Sequence, residues 1–155
     1  MQNSKLKIVF LGTPESGAII LEGVIKADFK PALVITETDK PVGRKKIITP
    51  PLVKVTALRY DIPIAQPKKI GNCKLEIENL KPDLGIVAAY GQIIPKDILS
   101  IPQYGFLNVH PSLLPKYRGP APVQSAILNG DKKTGVSIML LDEKMDHGPV
   151  LASSK

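Results

Sequence analysis

The chain has 155 residues, of which 43% are hydrophobic, and a formal net charge of +7. These values fit one domain with an ordinary core and argue against wholesale disorder. With one cysteine, Cys73, the chain has no internal disulfide. No run approaches the ~20 apolar residues of a membrane span, and the first residues lack a signal peptide's apolar core, so we expect a cytoplasmic protein without membrane contact. The charge suits either a solvated basic surface or an anionic partner, such as nucleic acid or a phosphorylated small molecule.

Strands and helices are predicted to alternate along the chain. Residues 5–12 form a β-branched apolar run that ends in glycine, which indicates a buried strand. Thr13 and Pro14 then suit the N-cap and first position of a helix that reaches about Lys26. Further strands are predicted at 32–36, 62–65, 83–89, 105–110, 134–141 and near 150–155, and further helices at 51–60, 74–80, 95–100 and 122–129.

This alternation predicts an α/β fold, with a mostly parallel sheet and helices on both faces. Ligands of such sheets bind outside the carboxyl ends of the strands. That rule selects residues 12–14, 88–91 and 108–110 and the segment near Asp146. Gly12 alone does not make a G-x-G-x-x-G turn, so a pyrophosphate site is not indicated.

Asn108 and His110 form the strongest candidate site. Side chains alternate along a strand, so these two lie on one face about 7 Å apart. An amide and an imidazole placed in this way can stabilise an oxyanion, and a core histidine bonded to a backbone carbonyl is the alternative that spacing alone favours. Asp146 either orients His110 or is a turn residue, and its neighbour His147 can be a turn residue too. With two histidines and one distant cysteine, no metal site is expected.

Two loops between the predicted elements have distinctive compositions. The Pro-rich segment 112–122 is either a rigid surface for a flat heterocycle or an ordinary connection. The segment 39–46 contains three consecutive cations, Arg44, Lys45 and Lys46. These cations suit phosphate contacts, and a solvated charge run is the alternative.

Taken together, these motifs resemble the methionyl-tRNA formyltransferase family. The most specific is Asn108-Val-His-Pro-Ser-Leu-Leu-Pro-Lys-Tyr-Arg-Gly-Pro-Ala-Pro122, and Met145-Asp-His-Gly-Pro149 follows it. The other matching segments lie in the same order at 8–14, 39–54, 87–95, 127–131 and 134–139.

The resemblance implies a Rossmann-like formyltransferase domain over residues 1–155. It implies transfer of a formyl group from 10-formyltetrahydrofolate to the amine of initiator methionyl-tRNA, without a metal. The family's catalytic residues correspond to Asn108, His110 and Asp146. Formyl transfer to an amino sugar nucleotide, a hydrolase that releases formate, and a folate- or RNA-binding fragment without turnover are the alternatives.

The resemblance also implies two binding segments. The folate site corresponds to Ser112, Leu113, Leu114 and Pro115, with Tyr90 nearby, and the tRNA-binding loop corresponds to Arg44, Lys45 and Lys46. That basic loop favours tRNA over the acceptors of the glycinamide ribonucleotide and nucleotide-sugar enzymes. Family members continue into a C-terminal β-barrel, so we expect a catalytic domain that is incomplete at its C-terminus and lacks the barrel. We expect its stability to depend on self-association or on an absent segment.

Overall fold

A computed structural model describes residues 6–144 and 146–155. The strands are β1 (Ile8–Gly12), β2 (Leu33–Ile35), β3 (Lys40–Val42), β4 (Ile47–Thr49), β5 (Ile64–Ala65), β6 (Leu84–Ala88), β7 (Phe106–His110), β8 (Val136–Leu140) and β9 (Val150–Ser154). The helices are α1 (Glu15–Lys26), α2 (Leu52–Arg59), α3 (Lys74–Leu80), α4 (Lys96–Leu99) and α5 (Pro122–Leu128), and a 3-10 turn covers Ile70–Cys73.

Seven strands form one sheet in the order β5-β2-β1-β6-β7-β8-β9. The first five strands of this order run parallel, while β8 and β9 are antiparallel to their neighbours. The predicted mostly parallel α/β sheet is therefore confirmed. The strand order reverses between β1 and β6, which is where sheets of this kind open a crevice for ligands.

Helices cover both faces of the parallel part of the sheet, as predicted. Alternate residues of β1 enter two separate apolar clusters, because successive side chains of a strand point to opposite faces. Leu21 of α1 and Val53 of α2 belong to one cluster. Ile77 of α3 and Ile98 of α4 belong to the other. Within the described ranges, no helix is both long and apolar enough to cross a bilayer.

The start of α1 differs from the prediction. Pro14 is the N-cap and Glu15 is the first helical residue, so the helix begins one residue later than expected. The Thr13 hydroxyl does not cap the helix, because it donates instead to the backbone carbonyl of Tyr90, at 2.9 Å. This bond ties the end of β1 to the segment that follows β6.

The polar stretch after β2 forms a β-hairpin instead of a simple loop. Strand β3 pairs antiparallel with β4, and the turn between them has Gly43 and Lys46 at positive φ. All residues of both strands are exposed. A hairpin without a buried face leaves no hydrophobic alternation in the sequence, which is why periodicity did not predict it.

Two glycines of α1 provide a matched test of helix propensity and packing. Gly23 is exposed, and a Cβ there would meet no atom within 4 Å. We expect Gly23→Ala to raise the free energy of unfolding by about 0.5–1 kcal/mol, because alanine loses less backbone entropy. A Cβ on Gly17 would lie 2.7 Å from the Ala88 carbonyl oxygen, so Gly17→Ala should lower stability by about 1–3 kcal/mol. Urea denaturation measures both, and equal effects would contradict this assignment.

Candidate active site

Asn108, His110 and Asp146 meet on one face of the sheet. Asn108 and His110 project from β7, and a single oxygen of Asp146, Oδ1, lies near both. It is 3.5 Å from Asn108 Nδ2 and 3.6 Å from His110 Nδ1. His110 is 4% exposed and Asp146 is 9% exposed, while Asn108 is half-buried. The structure thus brings the three predicted residues together in a largely buried cluster.

Asp146 reaches this cluster by a route that differs from the predicted one. Because β8 is antiparallel to β7, its last residue, Leu140, pairs with Leu107, near the start of β7. The carboxyl end of β8 therefore points away from the carboxyl ends of the parallel strands. The turn that carries Asp146 folds back over the sheet, and a Cβ on Gly148 in this turn would overlap the Leu140 carbonyl oxygen. The strand-end rule selected Asp146 for the wrong reason.

The Asp146 carboxylate is held by the backbone of the loop after β7. The Gly119 N–H donates to Asp146 Oδ2 at 2.7 Å. Asp146 itself has φ +48°, a left-handed conformation that aspartate adopts more readily than most residues. One carboxylate oxygen is thus committed to the loop, and the other faces Asn108 and His110.

The imidazole of His110 is fixed at one nitrogen and faces a carboxylate with the other. Its Nε2 lies 2.9 Å from the Tyr117 carbonyl oxygen, and since a carbonyl only accepts, Nε2 carries the proton. Its Nδ1 faces the Asp146 carboxylate. The histidine thus bonds to a backbone carbonyl, as one interpretation expected, and also faces a carboxylate, while its catalytic role stays a prediction. A ring protonated at both nitrogens would donate to both oxygens.

The contact lengths indicate which groups are free to act on a ligand. Distances of 2.7 and 2.9 Å are ordinary hydrogen bonds, and they join the loop to Asp146 and His110. Within the trio, the Asn108–Asp146 distance of 3.5 Å lies at the outer limit of a hydrogen bond, and the His110–Asp146 distance of 3.6 Å lies beyond it. The Asn108 amide and His110 Nδ1 are thus only weakly committed to Asp146. Both can turn toward a third oxygen, and burial strengthens any charge interaction there.

In the predicted folate segment, Ser112 has a structural contact. This serine is fully buried, and its hydroxyl donates to the Lys116 carbonyl at 2.6 Å. Leu113 and Leu114 are half-buried and Pro115 is exposed, so these three supply the accessible apolar surface.

Ser137 of β8 anchors this segment to the sheet. Its hydroxyl donates to the Ser112 carbonyl at 2.7 Å and accepts from the Leu114 N–H at 3.0 Å. Sequence reasoning missed Ser137. The sequence feature that could have identified it is a polar residue at a position of the strand that faces inward.

The side chain of Tyr90, which was predicted to lie near the folate site, is buried in the core. The residue is 2% exposed and its ring packs in the core beside α3 and α4, so only its backbone is available at the sheet edge. Its hydroxyl has no hydrogen-bond partner within the described part of the chain. Burial raises the pKa of this phenol to about 12, so it stays protonated at neutral pH. The buried side chain offers almost no accessible surface for a folate contact, and a contact through the Tyr90 backbone stays a prediction.

The three predicted tRNA-binding cations lie at the tip of the β3–β4 hairpin, where Arg44, Lys45 and Lys46 are exposed. The base of the hairpin is fixed, since Asp39 accepts from Gln66 at 2.8 Å and from Lys54 at 2.8 Å. These two donors hold the pKa of the Asp39 carboxyl below its usual value. A rigid base thus carries a solvent-facing cationic tip.

A cavity of about 180 Å³ lies between the hairpin base and the starts of α1 and α2. Its walls include Pro14, Val42, Pro51 and Leu52. The cavity opens beside the carboxyl end of β1, two strands from β7. In the described ranges, no group of three or more His, Cys, Asp or Glu side chains is placed to hold a metal ion.

Residues 6–155 match the sequence model of the family described as formyl transferase. The chain is 48% identical over 149 residues to the methionyl-tRNA formyltransferase of Halalkalibacterium halodurans, a match that covers 94% of this chain and 47% of that protein. It therefore spans about half the length of the curated relatives that it matches.

Solved structures share the fold at lower identity. Phosphoribosylglycinamide formyltransferase from Bacillus halodurans superposes with a TM-score of 0.76 at 23% identity, over 96% of this chain and 78% of that one. A formyltetrahydrofolate deformylase from Pseudomonas syringae superposes with a TM-score of 0.76 at 21% identity, over 98% of this chain and 51% of that one.

Proposed function

This chain belongs to the formyl transferase family, and from that premise we propose that it carries the site that moves a formyl group from 10-formyltetrahydrofolate to the amine of initiator methionyl-tRNA. The observation that supports the proposal most directly is the approach of Asn108 and His110 to one oxygen of Asp146. The name of the 48% identical relative supports the choice of acceptor.

The chemistry follows from where negative charge develops. The unprotonated amine attacks the formyl carbon, and the carbonyl oxygen becomes negative in a tetrahedral intermediate. Asn108 Nδ2 and protonated His110 donate hydrogen bonds to that oxygen. Asp146 balances the imidazolium charge and takes up the amine proton, directly or through water. The bond between carbon and folate nitrogen then breaks, and the released nitrogen takes a proton.

The folate co-substrate is assigned to the loop after β7. The half-buried Leu113 and Leu114, with exposed Pro115, offer accessible apolar surface three to five residues after His110. Ser137 ties the backbone of this loop to β8, so the surface is held rigidly. A rigid apolar surface beside polar groups suits a fused heterocycle.

The acceptor, methionyl-tRNA, is assigned to the side of the site where the β3–β4 hairpin lies, away from the folate loop. The cationic hairpin tip suits the phosphates of an RNA end. The apolar cavity at the hairpin base suits the terminal group that the RNA carries. An acceptor entering along the hairpin would pass this cavity on its way to β7.

Arg44→Ala is expected to raise KM for methionyl-tRNA and leave KM for 10-formyltetrahydrofolate unchanged. A lost phosphate contact also lowers the slope of log affinity against log salt by about 1. Steady-state kinetics at several salt concentrations measures both effects. Lys30→Ala is the matched control, since Lys30 is exposed and precedes β2 at the other end of the sheet. Equal effects of the two variants would remove the hairpin from the acceptor site.

A formylation assay tests the function itself. The chain is incubated with 10-formyltetrahydrofolate and, in separate reactions, with methionyl-tRNA, with an amino sugar nucleotide or with no amine. Formyl-methionyl-tRNA as the main product supports the proposal. A formylated sugar, formate released without an amine, or folate binding without any product would each replace it with the corresponding alternative.

A further inference from the structure

The backbone of one short segment holds both His110 and Asp146. The Tyr117 carbonyl accepts from His110 Nε2 at 2.9 Å, and the Gly119 N–H donates to Asp146 Oδ2 at 2.7 Å. The position of this segment therefore sets where the two side chains stand relative to each other.

Tyr117 adopts a conformation that its surroundings must maintain. Its φ is +57°, a left-handed value that is unfavourable for a side chain with a Cβ. Residues persist in such conformations only where neighbouring contacts over-determine them. The contacts of the Tyr117 side chain are therefore the place to look for what fixes its carbonyl.

Asp131 holds that side chain. The Tyr117 hydroxyl donates to Asp131 Oδ2 at 2.8 Å, and Lys116 Nζ lies 2.7 Å from the same oxygen. The Lys116 ammonium also lies 4.9 Å from the centroid of the Tyr117 ring. The hydrogen bonds from Lys116 and then Tyr117 lower the pKa of the Asp131 carboxyl, so this acceptor stays ionised near neutral pH.

Asp131 is itself fixed to the end of α5. Its N–H donates to the Ala126 carbonyl at 3.0 Å, directly after Gly130 at φ +66°. A continuous chain of contacts thus runs from α5 through Asp131 and the Tyr117 phenol to the Tyr117 carbonyl and His110.

We propose that Tyr117 is a positioning residue for His110. The phenol held by Asp131 fixes the Tyr117 carbonyl, which orients the imidazole so that Nδ1 faces Asp146 and the reacting oxygen. The inference rests on the proposed function for its catalytic meaning, but the positioning itself is a property of the folded chain.

Imidazole NMR tests the positioning without any catalysis. The chain has two histidines, so long-range ¹H–¹⁵N spectra are simple, and His147→Gln identifies the His110 signals. We expect Tyr117→Phe and Asp131→Ala each to shift the His110 Nε2 resonance and to speed exchange of its proton about threefold to tenfold. Tyr60→Phe is the matched control, because the Tyr60 hydroxyl also contacts a carboxylate, Glu22, at 3.3 Å.

Kinetics tests the consequence for the reaction. Tyr117→Phe is expected to lower kcat about threefold to tenfold with little change in KM for folate. The double variant, Tyr117→Phe with Asp131→Ala, should lose no more kcat than the more impaired of the two single variants. Both changes break the same chain of contacts. Additive losses would instead mean that Tyr117 and Asp131 act separately and not through one chain of contacts.

Unchanged His110 resonances in both variants would overturn the inference, as would losses confined to KM. Thermal melts check that each variant is folded. If one of the two variants fails to fold, the spectra and kinetics of the other test the inference. If the chain formylates no acceptor, the proposed function fails, while the spectra still decide whether Tyr117 positions His110.

Discussion

Replacing Asn108 by alanine is expected to lower kcat for formyl transfer by about 10²–10³, the usual loss when one oxyanion donor is removed. The Asn108 amide contacts Asp146 only at 3.5 Å, so its main partner is expected to be the oxygen that becomes negative during the reaction. That interaction strengthens in the transition state, and folate binding should therefore change little. Steady-state kinetics together with equilibrium binding of a folate analogue separates the two effects.

Two further variants sharpen this result. Asn108→Asp keeps the shape, removes the donor and places a second carboxylate beside Asp146, so it should be at least as inactive as the alanine variant. Asn129→Ala is the matched control, because the Asn129 amide bonds within its own helix, to Ser125. If Asn108→Ala weakened folate binding as much as it lowered kcat, Asn108 would be a binding residue and not an oxyanion donor.

Replacing His110 by alanine should lower kcat by about 10²–10⁴, the range for a residue that donates or transfers a proton. The change also leaves the Tyr117 carbonyl without its donor and removes the imidazole that faces the buried Asp146 carboxylate. We therefore expect a loss of stability of about 1–3 kcal/mol. Urea denaturation measures this loss, so that kinetics can be done where the variant is fully folded.

The second histidine supplies a control for this experiment. His147 is next to Asp146 in sequence, but its ring is exposed and pairs with Asp142 at 3.0 Å. His147→Ala should therefore leave kcat nearly unchanged. If His147→Ala lowered kcat as much as His110→Ala, the loss would come from the turn that carries His147 and not from the imidazole on β7.

The part of the site carried by regular structure could be predicted from the sequence. Asn108 and His110 are two residues apart on a strand, and the period of a strand puts them on one face. The near-continuous apolar runs identified the parallel strands, since these are buried on both faces. The strand-end rule also selected Asp146, but β8 runs antiparallel and the turn after it folds back, so only the resemblance gave a valid reason to place Asp146 beside β7.

The contacts that depend on loop backbone could not be predicted. Tyr117 and Gly119 act through a carbonyl and an N–H, groups that every residue has and that leave no compositional signal. The capping role assigned to Thr13 failed because a long-range carbonyl, that of Tyr90, competes for its hydroxyl.

The antiparallel direction of β8 has a consequence for where the chain can change in length. Since Ser137 pairs with His110, the chain leaves the sheet after β7 and re-enters it at the adjoining position. The segment between β7 and β8 is a connection with fixed ends, and lengthening such a connection costs little conformational free energy. Tyr117, Gly119 and Asp131 must stay in place, since they hold His110 and Asp146. Insertions at the exposed residues 132–134 would leave these contacts and β7 as they are, so the surface there can change while the reacting groups are inherited unchanged.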